Sequence, residues 1–316
     1  MKKMKKMIQT AIPLFWLALS LNAQTVSTPI VGFEKKAFPA GTTGHGVGFV
    51  QAAKYQGTAS AVSADSLTVS GASFSANAYA PSNGLPSHYI QITSGAQAGL
   101  VVDITGNTAT QINVGTGDLI SVTGTPSFVV RPHVKASALF QGNSSLSDYT
   151  DTLTIYNSDG SVTNLLRDST SPTGWLDSGT FSAADSVIYP GQGFLLSTQG
   201  SGDFTSTGVV NPSPTIVPIY SGLVNLVSLA NPSNGRDVQS INLGAGLSDY
   251  VDTVGIFSSD GNLSQTASLL WAGSTDGFLD SGTFAAATGV TAGGTSAILV
   301  NAGSSTTWTQ PSPLTP

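Results

Sequence analysis

The stretch LSDYTDTLTIYNSDG at 146–160 returns as LSDYVDTVGIFSSDG at 247–261, with ten of fifteen positions identical at an offset of 101. Further on, GWLDSGTF at 174–181 returns as GFLDSGTF at 277–284, seven of eight identical at an offset of 103. A third, weaker correspondence sets GQGFLLS at 191–197 against GTSAILV at 294–300 and keeps Gly191, Gly294 and apolar character. Two blocks in the same order predict an internal duplication, with copies at 126–222 and 223–316 that are each of domain size rather than solenoid size. The two-residue change of offset lies between the blocks, where a loop absorbs it.

Each block reads as a hairpin. Leu153 and Ile155 alternate with Thr152, Thr154 and Tyr156, the period of two that marks a half-buried strand. Asp159-Gly160 then supplies a turn, expected as a two-residue type I′ turn because that type needs positive φ at both central positions. In the second block Asp177-Ser178-Gly179 separates Trp175-Leu176 from Thr180-Phe181, which predicts a short loop with the glycine left-handed. The second copy repeats both turns at Asp260-Gly261 and Asp280-Ser281-Gly282. Ile155 and Ile256 are expected to be buried at equivalent positions.

The segment 24–125 does not match the repeat. It carries TASAVSA, SLTVSG, HYIQITSG, AGLVVDIT, TATQINV and DLISV, strands at a spacing of about 8 to 12 residues broken by Gly, Asn or Asp, as in a small barrel or sandwich. KASALF at 135–140 is the one plausible helical stretch. The chain has a single glutamate, Glu34, together with 36 glycines and 16 prolines, whereas exposed helices need Glu, Lys, Arg and Ala. The fold class expected is therefore all-β: an N-terminal small β-barrel or sandwich followed by two tandem duplicated β-sandwich-like domains.

The first residues place Lys2, Lys3, Lys5 and Lys6 ahead of an apolar run from Ala11 to Leu21 that ends in Leu-Asn-Ala. This order predicts a secretory signal peptide over 1–23, cleaved after Ala23. The run is too short for a bilayer-spanning helix, which needs about 20 apolar residues, so no membrane span is expected after cleavage. Four of the 11 basic side chains lie in that leader, leaving seven against 17 acidic ones and a mature net charge of about −10. So acidic a chain cannot neutralise a row of phosphates, which excludes nucleic acid as a partner. Cysteine is absent, so each unit must be held by its own core without a disulfide.

The segments PIVGF, HYIQITSGAQAG, VVRPHVKASALF and DSVIYPGQGFLLS, in that order along the chain, resemble an uncharacterised exported β-rich family found mainly in verrucomicrobial genomes. The resemblance implies export and β architecture and carries no catalytic residues. The second copy has AGGTSA where the first has PGQGF, so that motif is not required in both.

Chemistry is sparse. His45, His88 and His133 are the only histidines and no pair has metal-ligand spacing, so a metal site built mainly from histidine is not expected, nor, without cysteine, a structural zinc site. No G-x-S-x-G elbow is present, and GQG at 191–193 lacks the rest of a dinucleotide fingerprint. Asp148, Asp151 and Asp159, repeated as Asp249, Asp252 and Asp260, have two readings: turn and strand-end residues, or oxygen ligands of a calcium ion. The turn reading is favoured because a strand rising about 3.3 Å per residue holds Asp159 far from Asp151. Trp175, Trp271 and Trp308 with Tyr149, Tyr250 and Phe278 read either as core or as a sugar-stacking platform. No catalytic, cofactor-binding or metal-binding residue is assigned. The function expected is that of an exported, non-catalytic structural or adhesive envelope or extracellular protein, periplasmic, surface-bound or released. A carbohydrate- or polymer-binding module is the alternative, with extracellular polysaccharide or other envelope components as partners.

Overall fold

The computed structural model describes residues 29–232, 235–257, 261–292 and 297–314; the segment 1–23 expected as a leader and the turn expected at Asp260-Gly261, but for Gly261, lie outside them. The fold is all-β, 44% strand and 4% helix in several antiparallel sheets. Among the described residues no helix is long and apolar enough to cross a membrane. The short helix expected near 135–140 is Ala136–Leu139.

Two five-stranded sheets carry the repeated sequences. In the first, Thr152–Tyr156 is central, flanked by Val162–Arg167 on one side and Gly193–Thr198 on the other, with Trp175–Asp177 and Gly41–Gly46 at the edges. In the second, Thr253–Phe257 is central between Gln265–Trp271 and Ile298–Asn301, with Phe278–Asp280 and Asn225–Val227 at the edges. Leu153 pairs with Leu196 and Val254 with Val300, so the strands 193–198 and 298–301 correspond at an offset of 104. That is one more than the offset of 103 read from GQGFLLS and GTSAILV: apolar alternation alone left the pairing one residue out of register. Ile155 and Ile256 are buried on the central strands of the two sheets.

Several strands depart from the boundaries expected. Val31–Phe38 and Gly41–Gly46, read with the N-terminal segment, pair with Gly202–Val209 and Gly193–Thr198. Ser127–Pro132, read as the start of the first copy, pairs with Tyr55–Thr58 and His88–Ile92. Thr215–Ile219, placed in the first copy, pairs with Thr306–Gln310. Between Gly46 and Val134 the chain builds one seven-stranded sheet. Turn signals announce local hairpins, whereas these pairings join residues from 36 (Ile92 with Phe128) to 178 (Val31 with Val209) positions apart, which no local signal marks.

Three apolar cores follow. One gathers Leu67, Ile90, Ile104, Ile112 and Phe128; a second gathers Phe38, Val47, Ile155, Trp175 and Phe194; a third gathers Val217, Val254, Ile256, Phe278 and Trp308. The second and third touch through an unusually close seam. A side-chain carbon on Gly46 would overlap Ser228, and one on Gly48 would meet the backbone of Asn231 and Pro232. Gly193 likewise faces Leu226, Val227 and Ala297, and Gln192 bridges to Val227. The glycines of GHGVG and PGQGF therefore serve this seam.

Candidate functional site

Besides Phe33 on the strand Val31–Phe38, 74% exposed, four aromatic side chains on turns stand out of the surface: Tyr149 is 59% exposed, Phe181 63%, Tyr250 58% and Phe284 62%. All four have left-handed backbones, with φ of 59°, 55°, 57° and 57°. For a bulky non-glycine residue that conformation costs roughly 1–2 kcal/mol. The turn chemistry shows how it is enforced. Asp177 Oδ1 accepts hydrogen bonds from the backbone N–H of Gly179 and Thr180 and from the Thr180 hydroxyl, and Phe181 N–H closes back onto the Asp177 carbonyl. Asp280 holds Gly282, Thr283 and Phe284 in the same way. The left-handed position is thus taken by phenylalanine, not by Gly179 as the turn pattern suggested, because the aspartate cap organises a longer loop. The Asp159 turn also differs from the type I′ expected. Only Gly160 has positive φ, Gly160 N–H bonds the Asn157 carbonyl, and Asn157 N–H bonds that of Ser161, a three-residue loop with a glycine bulge.

The tyrosine corners rest on the repeated aspartates. Asp151, fully buried, accepts Ser147 N–H at 2.8 Å and Gln199 N–H at 2.9 Å. Asp252, also buried, accepts Ser248 N–H at 2.8 Å and Gly303 N–H at 2.7 Å. Each carboxylate staples the LSDY loop to the loop beyond the neighbouring strand. Asp148 accepts both the N–H and the hydroxyl of Ser169, and Asp159 takes those of Ser161. Asp249 lies beside Gly273, and Asp260 is outside the described residues. Among the described residues no three acidic or histidine side chains come together as a metal cluster. The hydroxyls of Tyr149 and Tyr250 donate to Asp168 and Asp276, each at 3.2 Å, so each ring is held upright. Hydrogen bonding to Asp168 keeps the Tyr149 hydroxyl above its ordinary pKa.

The sugar-platform reading divides. Trp175, Trp308 and Phe278 are core residues and Trp271 is half-buried against Phe278, so only Tyr149 and Tyr250 of that set are presented to solvent. Phe181 and Phe284 were not in it; their repetition within DSGTF was the signal available.

A second feature is a cleft of about 580 Å³ where the seven-stranded sheet and the two five-stranded sheets meet. The seven-stranded sheet contributes Asp103 and Asp118, the first five-stranded unit Tyr156 and Tyr189, and the second Tyr220 and Val224. Tyr189 is fixed from behind: its hydroxyl donates to Asp103 Oδ2 at 2.6 Å, and its ring meets His133 edge-on at 5.0 Å. His133 Nε2 lies 3.0 Å from Asp103 Oδ1, a close contact without hydrogen-bond alignment. Burial first, then the Asp103 carboxylate, holds the Tyr189 hydroxyl far above the usual tyrosine pKa, so it remains a donor. The His133 side chain is wholly enclosed and cannot reach a substrate; it positions Tyr189. The other histidines are paired elsewhere, His45 with Thr43 at 2.7 Å and His88 with Ser87 at 2.9 Å.

No protein-family model matches the chain, and comparison with curated proteins and with solved structures finds no similarity.

Proposed function

We propose that this is an exported, non-catalytic protein of structural or adhesive role at the cell envelope or outside the cell, built from two copies of one β unit. One copy comprises residues 29–50 and 133–210, with the seven-stranded sheet inserted into it, and the other begins near 213. The observation that carries the adhesive reading is the set of four exposed aromatics at corresponding corners, Tyr149 and Phe181 in one copy, Tyr250 and Phe284 in the other. Backbone strain retained at exposed positions that bury nothing in return points to use rather than to packing. Rigid exposed rings present contact area at little entropic cost, and two equivalent pairs on one chain favour bivalent attachment.

The test is cosedimentation of the purified protein with isolated envelopes of the native organism. The wild type is expected in the pellet, and a variant carrying Tyr149→Gly, Phe181→Gly, Tyr250→Gly and Phe284→Gly in the supernatant. Glycine relieves the left-handed strain, so the variant should keep or exceed wild-type stability and its loss of attachment should not be misfolding. Equal pelleting of the two proteins would remove the aromatic corners from the function. The second reading, a polymer-binding module, is favoured by the cleft.

A further inference from the structure

We infer that the cleft where the seven-stranded sheet and the two five-stranded sheets meet is a binding site for an uncharged, hydroxyl-rich chain, a neutral oligosaccharide segment. The inference rests on the polymer-binding reading and gives it a site and a ligand class. At about 580 Å³ the cleft falls within the range of sites that enclose small ligands, and such sites favour junctions between folding units. Its walls carry Tyr156, Tyr189 and Tyr220, side chains with an apolar ring face and a polar tip. A sugar presents the matching pair of surfaces, an apolar C–H face and a rim of hydroxyls.

The polar groups select further. Asp103, Asp118 and Asp159 offer carboxylates, which accept hydrogen bonds and donate none when ionised. A ligand must therefore supply donors, as hydroxyls do. Among the described residues lining the cleft there is no lysine, arginine or histidine, so a phosphate or uronate would meet only like charge. Asp103 already accepts the Tyr189 hydroxyl and Asp159 the N–H and the hydroxyl of Ser161, so two of the three carboxylates are engaged with neutral donors in the manner a sugar hydroxyl would extend. The site is also preorganised: Asp103 comes from the inserted sheet and anchors Tyr189 of the first unit, fixing one aromatic wall before any ligand arrives.

Calorimetric titration of the full-length protein with cellohexaose, mannohexaose, laminarihexaose and chitohexaose tests this, with hexagalacturonate and hexalysine as charged probes. At least one neutral hexasaccharide should bind at submillimolar concentration. Tyr220→Ala should weaken it by about tenfold or more, the loss of one buried aromatic contact. Asp118→Asn, at an exposed position that should leave the fold intact, should weaken it severalfold. Hexagalacturonate should not bind. Failure of all four neutral probes, binding of hexalysine in their place, or binding indifferent to both substitutions overturns the assignment. The four-glycine variant separates the two readings: if it keeps hexasaccharide binding but loses envelope attachment, the cleft and the aromatic corners are independent. If it loses the hexasaccharide while Tyr220→Ala retains it, polymer binding stands and the cleft is not its site.

Discussion

His45 lies on the edge strand Gly41–Gly46 with its ring against Phe194 and Phe204. Burial first, and then the nearby Lys36 ammonium, depresses its pKa to about 3. The sign follows directly. Above pH 6.5 the imidazole is neutral in both folded and unfolded chains and contributes no pH dependence. Below it the unfolded chain gains a proton that the folded one refuses, so stability falls as pH drops from 6.5 towards 3, by up to about 1.4 kcal/mol per pH unit. Burial also lowers the pKa of His88, which adds in the same direction. The hydrogen-bonded carboxylates of Asp159, Asp168, Asp177 and Asp280 are held below their usual value and act only at lower pH. Urea unfolding at pH 7 and pH 4.5 should therefore differ by roughly 2–3 kcal/mol, and His45→Gln should remove most of that difference. A variant that keeps the full slope would assign it elsewhere.

Among elements, the repeated LSDY loops show how one carboxylate can determine a connection. Asp151 and Asp252 each accept two backbone N–H groups from loops on either side of a central strand. Truncation would strand both donors in a buried site and remove two charge-assisted bonds. Asp151→Ala should cost about 2–4 kcal/mol, and Asp252→Ala a similar amount. Asp148→Ala, whose carboxylate is partly exposed, should cost under about 1 kcal/mol. Equal losses at 148 and 151 in chemical denaturation would contradict the staple. The repetition of Asp151 and Asp252 is plain in the sequence. Their burial is not, because an aspartate beside Ser and Tyr reads equally as an exposed cap.

At the scale of the whole molecule, the seam between the two repeated units joins matching positions. His45 pairs with Phe194 and Val227 with Ile298 on corresponding edge strands, so the next residues, Gly46 and Ser228, correspond, and they face each other. Gly193 and Ala297, which precede Phe194 and Ile298, correspond and also touch. Equivalent patches meeting in this way resemble the isologous interface of a two-fold dimer joined into one chain, a closed arrangement rather than an extending array. Gly46→Val should therefore destabilise the protein by about 1–3 kcal/mol through overpacking. Ser228→Gly in the same chain should recover at least half of the loss, measured in a double-mutant cycle. If the second substitution gives no recovery, the close approach at this pair does not govern the seam.

What the amino-acid sequence determined alone is local. Its composition favoured strands over helices, Leu153 and Ile155 alternating with threonines marked the central strand and its buried face, and the repeated aspartates marked where the chain turns. Even the seam and the aromatic corners left traces, in GHGVG, PGQGF and the two DSGTF stretches. A period of two tells which face of a strand is buried but not which strand lies beside it. Only the tertiary structure could place Val31–Phe38 against Gly202–Val209, keep Ser127–Pro132 with the seven-stranded sheet, and bring Asp103, Tyr189 and Tyr220 to one cleft. Those choices depend on packing between residues far apart in the chain, where many pairings satisfy the same alternation and the fit of three cores selects one.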